Sequence, residues 1–198
     1  IAVHDVTGRK IVQVADFPLP SSPNSADWRL ALHGASDAVE QWITGTHGVA
    51  QTRILFVRGG RIYVVDSDGA DERQVTGAGL SLSPVWSPDG HTIAYSVLGD
   101  RGWRIVTQDV AGGAAHTLPS TTTGLNTTPV FVPAGGAIAY AHGAENGTDL
   151  MLVDLAGGGP RQITVGRGSD NTTPCFSPDG RRIAFTSGRA GHPEVYIM

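Results

Sequence analysis

One turn-and-strand pattern recurs at a fixed interval along this chain, and no other feature limits the possible folds as strongly. The stretches SPVWSPDGHTIAYSV, TPVFVPAGGAIAYAH and TPCFSPDGRRIAFTS begin at Ser83, Thr128 and Thr173, 45 residues apart each time. A second motif follows them at similar offsets, beginning at Arg104, Leu150 and Glu194, and an earlier copy of it begins at Ile62. Self-similarity at such a period indicates a repeat architecture, so each repeat is one structural unit.

Each repeat divides into four short strands. In the first copy we predict strands over 84–87, 92–97, 103–108 and 115–118, with a hairpin loop over 99–102. A Pro-Asp-Gly turn separates the first two strands, because Pro88 presets φ, Asp89 accepts backbone hydrogen bonds and Gly90 tolerates positive φ. Four strands in about 45 residues is the spacing of a β-propeller blade. The sequence therefore predicts a mainly β protein with a partial β-propeller of about three and a half four-stranded blades.

Residues 1–52 do not repeat and have a different pattern. Ile1 to Asp16 is typical of a hairpin, and a Pro/Ser-rich loop follows it. A helix is predicted over 26–44, with Ser25 as its N-cap and Gly45 just beyond its end. Its apolar face is predicted from residues at helical spacing: Trp28, Ala31, Leu32, Ala35, Val39, Trp42 and Ile43. We therefore predict two domains, the end of an α/β domain over 1–52 and an incomplete propeller over 53–198, in an internal fragment of a longer protein.

Composition excludes several classes of function. The 198 residues carry a net charge of −4 without a cluster of Lys or Arg, which argues against nucleic-acid binding. No apolar run approaches the ~20 residues needed to span a bilayer, so we predict no direct membrane insertion.

We expect the single cysteine, Cys175, to be a small buried apolar residue, since it aligns with Val85 and Val130. Three aromatic residues share one repeat position and are predicted to pack between blades: Trp86, Phe131 and Phe176.

The sequence contains no recognisable catalytic or metal-binding pattern. It lacks the G-x-S-x-G nucleophile motif, and its His and Cys spacing does not match a zinc site. His33 and Asp37 lie one helical turn apart and are predicted to form a hydrogen-bonded or ionic pair with a structural role. Six aspartates lie in or before glycine turns and are predicted to cap them: Asp66, Asp68, Asp89, Asp109, Asp154 and Asp179. We predict a non-enzyme without cofactor, with Ca²⁺ in the propeller channel as the one cofactor left open.

The helix and the segment after it resemble those of one known family. The stretch ALHGASDAVEQWITGTHGVAQTRILFV is similar to the end of the N-terminal domain in the TolB family, where a helix with His and Asp leads through a TG…G…TRI exit into a propeller. The matching positions are His33, Asp37, Thr44, Gly45, Gly48, Thr52, Arg53 and Ile54. The Ser-Pro-Asp-Gly repeats also resemble those of this family. The middle repeat departs from the pattern, with Ala134 and Gly135 in place of Asp-Gly.

The resemblance implies a non-enzymatic periplasmic scaffold of the Tol–Pal system, which supports outer-membrane integrity and cell division. It implies a six-bladed ring whose channel face binds the peptidoglycan-associated lipoprotein Pal, and an N-terminal region, absent here, that communicates with TolA. Three segments precede the first strands of the blades and are predicted to be loops on that face: 77–83, 121–128 and 166–173. The positions that match the Pal-contacting loops are Leu125, Asn126, Thr127, Thr128, Asp170, Asn171, Thr172 and Thr173.

Two alternatives remain open from the sequence. Peptidases of the prolyl-oligopeptidase type share Ser-Pro-Asp-Gly propellers, so the chain is alternatively the gating propeller of a serine peptidase. A TolB-like propeller reused as a sensor or carbohydrate-binding module is the third possibility. For the two asparagines, the alternative to partner binding is that Asn126 and Asn171 only cap turns.

Overall fold

A computed structural model describes residues 1–23, 25–118, 124–165 and 169–198. The chain divides into two compact units, one of residues 1–54 with 64–73 and the other of residues 55–63 with 74–198. Mainly β structure is present, as predicted, with one long helix near the start of the chain.

The first unit contains a short hairpin and the helix. Strands β1 (Ala2–Asp5) and β2 (Lys10–Val14) pair antiparallel. Helix α1 covers Ala26–Thr44, as predicted. Ser25 caps it, because its hydroxyl accepts the Trp28 N–H at 3.2 Å, and Gly45 ends it in the left-handed region with φ of 76°.

The predicted apolar face of α1 is only partly buried. Ala35 is buried, and the Trp42 ring lies 6.0 Å from the ring of Phe17. Leu32 and Ile43, which belong to the same predicted face, are exposed. The helix also buries Asp37, a charged residue that hydrophobic periodicity does not select.

The remaining strands form four consecutive antiparallel sheets, each with strands in chain order. The first sheet contains β3 (Arg53–Arg58), β4 (Arg61–Asp66) and β5 (Arg73–Gln74). The second contains β6 (Ser81–Trp86), β7 (Thr92–Gly99), β8 (Gly102–Asp109) and β9 (His116–Thr117). The third contains β10 (Leu125–Phe131), β11 (Ala137–Ala144), β12 (Gly147–Asp154) and β13 (Arg161–Gln162). The fourth contains β14 (Asn171–Phe176), β15 (Ile183–Ser187) and β16 (Glu194–Ile197).

These sheets confirm the predicted partial propeller with blades at the 45-residue repeat. The middle strands are longer than predicted, because β7 and β8 remain paired up to Gly99 and Gly102 and leave only two residues in the hairpin loop. The first strand of each repeat also begins earlier than predicted, at Ser81 in the second sheet. Pairing between neighbouring backbones therefore extends into segments whose polar composition suggested loops.

Apolar side chains pack between neighbouring sheets. Between the second and third sheets lies one cluster of Ala94, Ile105, Leu118, Phe131, Ile138, Tyr140 and Val153. A second cluster, Ala141, Leu150 and Phe185, joins the third sheet to the fourth. Ile93 and Tyr95 are buried, and Ala94 and Ser96 on the opposite face of β7 are fully buried too. A middle strand enclosed on both faces is the arrangement expected for stacked blades.

One prediction about side-chain burial needs correction, and a second is met to different degrees by its three residues. Cys175 is exposed, although Val85 at the same repeat position packs against the cluster between the second and third sheets. Of the three aromatic residues at the shared position, only Phe131 is fully buried, whereas Trp86 and Phe176 are half-buried.

The Pro-Asp-Gly turns have the capping contacts predicted for them. In the fourth sheet the Ser177 hydroxyl donates to the Asp179 carboxylate at 2.6 Å, and the same carboxylate accepts the Arg181 N–H at 3.1 Å. Asp89 makes the equivalent pair of contacts in the second sheet. The turn at Ala134 lacks both side chains and is closed by a backbone hydrogen bond from Gly135 to Val132 at 2.8 Å.

Replacing Asp179 with alanine is expected to cause a small decrease in Tm at neutral pH that disappears in acid. The Ser177 hydrogen bond and then the Arg181 N–H lower the pKa of Asp179 below the ordinary 3.8. A carboxylate with a depressed pKa stabilises the folded state above its unfolded value and loses that effect as pH falls through the folded value. Thermal melts of the wild type and Asp179→Ala at neutral pH and at about pH 3 measure this. A Tm difference that stays constant over that range would contradict it.

Candidate functional site

The predicted site residues lie where β10 and β14 begin, and most of them belong to the strands themselves. Leu125 to Thr128 are in β10 and Asn171 to Thr173 are in β14, so only Asp170 lies outside a strand. This corrects the prediction of loops. The pairs Asn126–His142 and Asn171–Ser187 hold these segments to the neighbouring strand, because their backbone groups are paired in the sheet. Residues 121–123 and 166–168 of the predicted loops lie outside the described part of the chain.

Asn126 is fully buried and joins the third sheet to the second. Its Nδ2 donates to the backbone oxygen of Trp103 at 2.8 Å, and its Oδ1 lies 2.8 Å from Nδ1 of His142. Because Oδ1 can only accept, His142 carries its proton on Nδ1 in this contact. Nearby, the Trp103 N–H donates to the Gly124 oxygen at 3.1 Å. The start of β10 is therefore fixed against the hairpin of the preceding blade.

Asn171 is the centre of a polar network at the next junction. Its Nδ2 donates to the Asp149 carboxylate at 3.0 Å, while its Oδ1 accepts from Nη2 of Arg189 at 3.3 Å. Asp149 also accepts the Thr164 hydroxyl at 2.8 Å. Asn171 and Ser187 are fully buried. A satisfied buried network of this kind holds the start of β14 in one position.

Strands β6, β10 and β14, the first strands of the second, third and fourth sheets, share an unusual backbone conformation at one position. Ser83, Thr128 and Thr173 have φ of 53°, 49° and 55°, a left-handed region that side-chain-bearing residues rarely adopt. The strand register shifts at each of these positions, which is a β-bulge. The Thr128 hydroxyl also accepts the Thr173 N–H at 3.4 Å. The same β-bulge thus bends each of these three strands just before its proline.

The eight predicted residues differ in how accessible they are. Leu125, Asp170 and Thr173 are exposed, and Thr127, Thr128 and Thr172 are half-buried. Asn126 and Asn171 have no exposed surface, so they position their neighbours and are not themselves available to a partner. The turn-capping role considered for the two asparagines is also not what the structure shows, since each bonds across a junction between sheets.

Arg189 is a site residue that the sequence patterns did not select. Its guanidinium lies 4.5 Å from the centre of the Tyr196 ring and 5.3 Å from that of Phe185, and its Nε donates to the Ser187 hydroxyl at 3.0 Å. Stacking and hydrogen bonds hold this cation in place while the residue remains exposed. Alignment of the repeats could have found it, because Arg189 is a large charged residue at a position where the two preceding repeats have the small residues Gly99 and Ala144. We call the exposed set Leu125, Asp170, Thr173 and Arg189 the entry surface.

His33 and Asp37 do not pair with each other, contrary to the prediction. His33 Nε2 lies 3.1 Å from the Asp68 carboxylate, which also contacts Arg29. Asp37 accepts the backbone N–H groups of Ala50 and Gln51, both at 2.8 Å. A side chain at Gly48 would place its Cβ 2.7 Å from the Asp37 backbone, so this position has room only for glycine. The helix therefore holds the exit segment through a buried carboxylate, which is a structural role.

The aspartates near glycine turns have protein partners. Asp68, Asp109 and Asp154 accept the N–H two residues later at 2.7–3.0 Å, as predicted for turn caps. Asp66 does not fit that prediction, because its buried carboxylate contacts Arg53 at 3.3 Å. Hydrogen bonds from Ala70 and then Arg29 lower the pKa of Asp68. A carboxylate held by Arg29 and His33 does not fit a Ca²⁺ ligand.

The described residues contain neither a group of metal ligands nor a membrane-spanning helix. No three His, Cys, Asp or Glu side chains there are grouped to hold a metal ion. In that same part of the chain, no helix has the length and apolar character to cross a membrane.

Comparison with known proteins identifies similar chains. A family model described as the TolB beta propeller domain matches residues 40–198. The Tol-Pal system protein TolB of Thioalkalivibrio sulfidiphilus is 37% identical over 117 residues, covering 54% of this chain and 26% of that protein. The crystal structure of TolB from Acinetobacter baumannii matches with a TM-score of 0.80 and 26% identity, covering 99% of this chain and 50% of that one. The chain thus spans about a quarter of the former and half of the latter.

A more distant likeness concerns the alternative of a peptidase propeller. A puromycin-hydrolyzing peptidase of Mycobacterium tuberculosis matches with a TM-score of 0.55 and 18% identity, covering 73% of this chain and 27% of that one. At this identity the likeness concerns the fold alone. It gives no information about catalysis in this chain.

Proposed function

Since the chain belongs to the TolB β-propeller family, we propose that it is a non-enzymatic periplasmic part of a Tol–Pal system that binds a Pal-like lipoprotein. In this role it supports outer-membrane integrity and cell division, and the protein to which it belongs communicates with TolA through a region N-terminal to this chain. Its contribution is a rigid binding surface without chemistry of its own. Relatives named as Tol-Pal system proteins support the assignment.

The proposal rests on one observation: the side chains of the entry surface are exposed, while the strands that carry them are held in place by buried hydrogen bonds. Asn126 and Asn171 are buried and hydrogen-bonded, so the strands that present Leu125, Asp170 and Thr173 are held in place before a partner arrives. A surface that is already ordered loses little conformational entropy on binding. Rigid backbone with a few exposed side chains is therefore suited to recognising one protein partner.

The entry surface also indicates which chemical groups a partner would present. The apolar Leu125 side chain, 43% exposed, offers a contact for an apolar residue. Arg189 has two of its hydrogen bonds committed to Ser187 and Asn171, through Nε and Nη2. Its planar guanidinium keeps further N–H groups that suit a carboxylate. We expect the lipoprotein to place an acidic side chain or a C-terminal carboxylate against Arg189.

Replacing Arg189 with alanine is expected to weaken binding of the Pal-like lipoprotein from the same organism by about 10- to 100-fold, the range for loss of a charged hydrogen bond. Calorimetry with the full-length protein measures it. Arg189→Lys keeps the charge but loses the planar contacts, so an intermediate affinity is expected. Arg182→Ala is the matched control, because this exposed arginine lies at the turn between β14 and β15, away from the entry surface.

The test uses exposed residues, because Asn171→Ala would disturb the position of strand β14 as well as the entry surface. Equal affinities for Arg189→Ala and the wild type, with Asp170→Ala and Thr173→Ala also silent, would exclude the entry surface as the binding site. Absence of any binding by the wild type would contradict the proposed function itself.

A further inference from the structure

A cavity of about 520 Å³ lies between the second and third sheets, lined by residues of the Pro-Asp-Gly turn of one sheet and the Ala-Gly-Gly turn of the next. Asp89, Thr107, His116 and Thr117 line it from the second sheet, and Phe131 and Ala134 from the third. Its volume is within the range of small-molecule sites, which is roughly 300–1,000 Å³. None of these residues belongs to the entry surface, so the cavity is independent of the proposed lipoprotein site.

The turn of the third sheet lacks the side chains that the equivalent turn of the second sheet carries, and this leaves space for the cavity. In the third sheet Ala134, Gly135 and Gly136 stand where the second sheet has Asp89, Gly90 and His91. A Cβ added at Gly180 in the fourth sheet would lie 3.6 Å from Pro133 of the third. A Cβ added at the equivalent Gly135 would meet nothing within 4 Å. The turn of the fourth sheet thus lies near that of the third, whereas the space beside Gly135 is open.

The lining combines one anionic group with hydroxyls and an apolar floor. Asp89 accepts the Ser87 hydroxyl and the His91 N–H through Oδ1, which leaves Oδ2 available to a ligand. These hydrogen bonds lower the pKa of Asp89, so its carboxylate is charged at neutral pH. Thr107 and Thr117 carry hydroxyls, and the buried Leu118 and Phe131 form apolar surface. No Lys or Arg is among the described residues that line it, so an anionic ligand would be repelled by Asp89.

We propose that this cavity binds a small organic cation that carries hydroxyl groups, an amino sugar by chemical class. Its ammonium group pairs with the free oxygen of Asp89. Its hydroxyls exchange hydrogen bonds with Thr107, Thr117 and His116, each of which can donate and accept. The C–H face of its ring lies against the apolar floor.

Three probes separate the contributions of charge and hydroxyl groups. Glucosamine carries both, glucose lacks the ammonium group, and putrescine lacks the hydroxyls. We expect glucosamine to bind the full-length protein about tenfold more tightly than glucose or putrescine, because charge-assisted and neutral hydrogen bonds both contribute. NMR titration detects such binding even when it is weak, and the amide signals of Thr107, His116 and Thr117 are expected to shift.

Variants locate the binding. Asp89→Asn is expected to reduce glucosamine affinity about tenfold and leave glucose unaffected. The control is Asp179→Asn, which makes the same change at the equivalent turn of the fourth sheet and should alter neither affinity. Ala134→Tyr fills the cavity from an exposed position and should abolish binding of all three probes. Absence of glucosamine binding, or binding that survives both Ala134→Tyr and Asp89→Asn, would overturn the proposal.

Discussion

Replacing Asp37 with alanine is expected to destabilise the first compact unit by about 3–5 kcal/mol. The carboxylate is buried and accepts two backbone N–H groups, from Ala50 and Gln51. Its removal leaves two donors without a partner, each at a cost of about 1–3 kcal/mol. Urea unfolding followed by fluorescence measures the change, because Trp28 and Trp42 both lie on the helix of this unit.

Glu40 provides the matched control for Asp37. It lies on the same helix, three residues further along, and is exposed. Glu40→Ala should change the free energy of unfolding by less than about 0.5 kcal/mol, as is usual for surface positions. Hydrogen exchange adds a local measurement, since the Ala50 and Gln51 amides should exchange faster only in Asp37→Ala. Similar stability of the two variants would show that the buried carboxylate is not what holds the exit segment.

Replacing Asn126 with alanine is expected to lower the free energy of unfolding of the propeller unit by about 2–4 kcal/mol. The change removes the acceptor of His142 Nδ1 and the donor to the Trp103 oxygen, and it leaves a small cavity in a fully buried position. Thermal and chemical unfolding measure the loss. The His142 ring signals in NMR should also change, because the contact that fixes its tautomer is gone.

The second sheet supplies a natural control for Asn126. Ser81 occupies the same repeat position and is buried as well. Asn126→Ser should therefore be tolerated better than Asn126→Ala, since a hydroxyl can replace one of the two hydrogen bonds. If serine and alanine were equally damaging, or if neither had an effect, the hydrogen bonds of Asn126 would not be what joins the two sheets.

The repeat made the fold predictable, while side-chain accessibility depended on information outside the repeat. Recurrence every 45 residues and the Pro-Asp-Gly turns specify hairpins and therefore blades. Whether Cys175 is buried depends on which sheet lies against it, and periodicity carries no such information. The starts of β10 and β14 were assigned to loops because polar residues there suggested solvent. In the structure these polar groups bond to each other across junctions, as the contact between Asn171 and Asp149 illustrates.

The candidate site was predictable only in part, for a similar reason. The segments around Leu125 and Asp170 follow from the position of the repeat and from the resemblance to TolB. Arg189 did not, because it reaches Asn171 from the loop that follows the paired strand β15. His33 and Asp37 were expected to interact because they are one turn apart on a helix. Each instead bonds to a segment distant in sequence, which spacing on the helix cannot reveal.

The order of strands within the described sheets has a consequence for how such a protein folds and changes in evolution. Each strand pairs with its neighbour in the chain, so forming a blade closes only short loops and requires no distant segment. Long-range association is then left to contacts between finished hairpins, and folding can proceed one blade after another, as in linear repeat proteins. A gene segment encoding one 45-residue unit can therefore be duplicated or lost without breaking any sheet. Of the contacts described here, only those at the junctions between blades, such as Asn126 with Trp103, would have to form again.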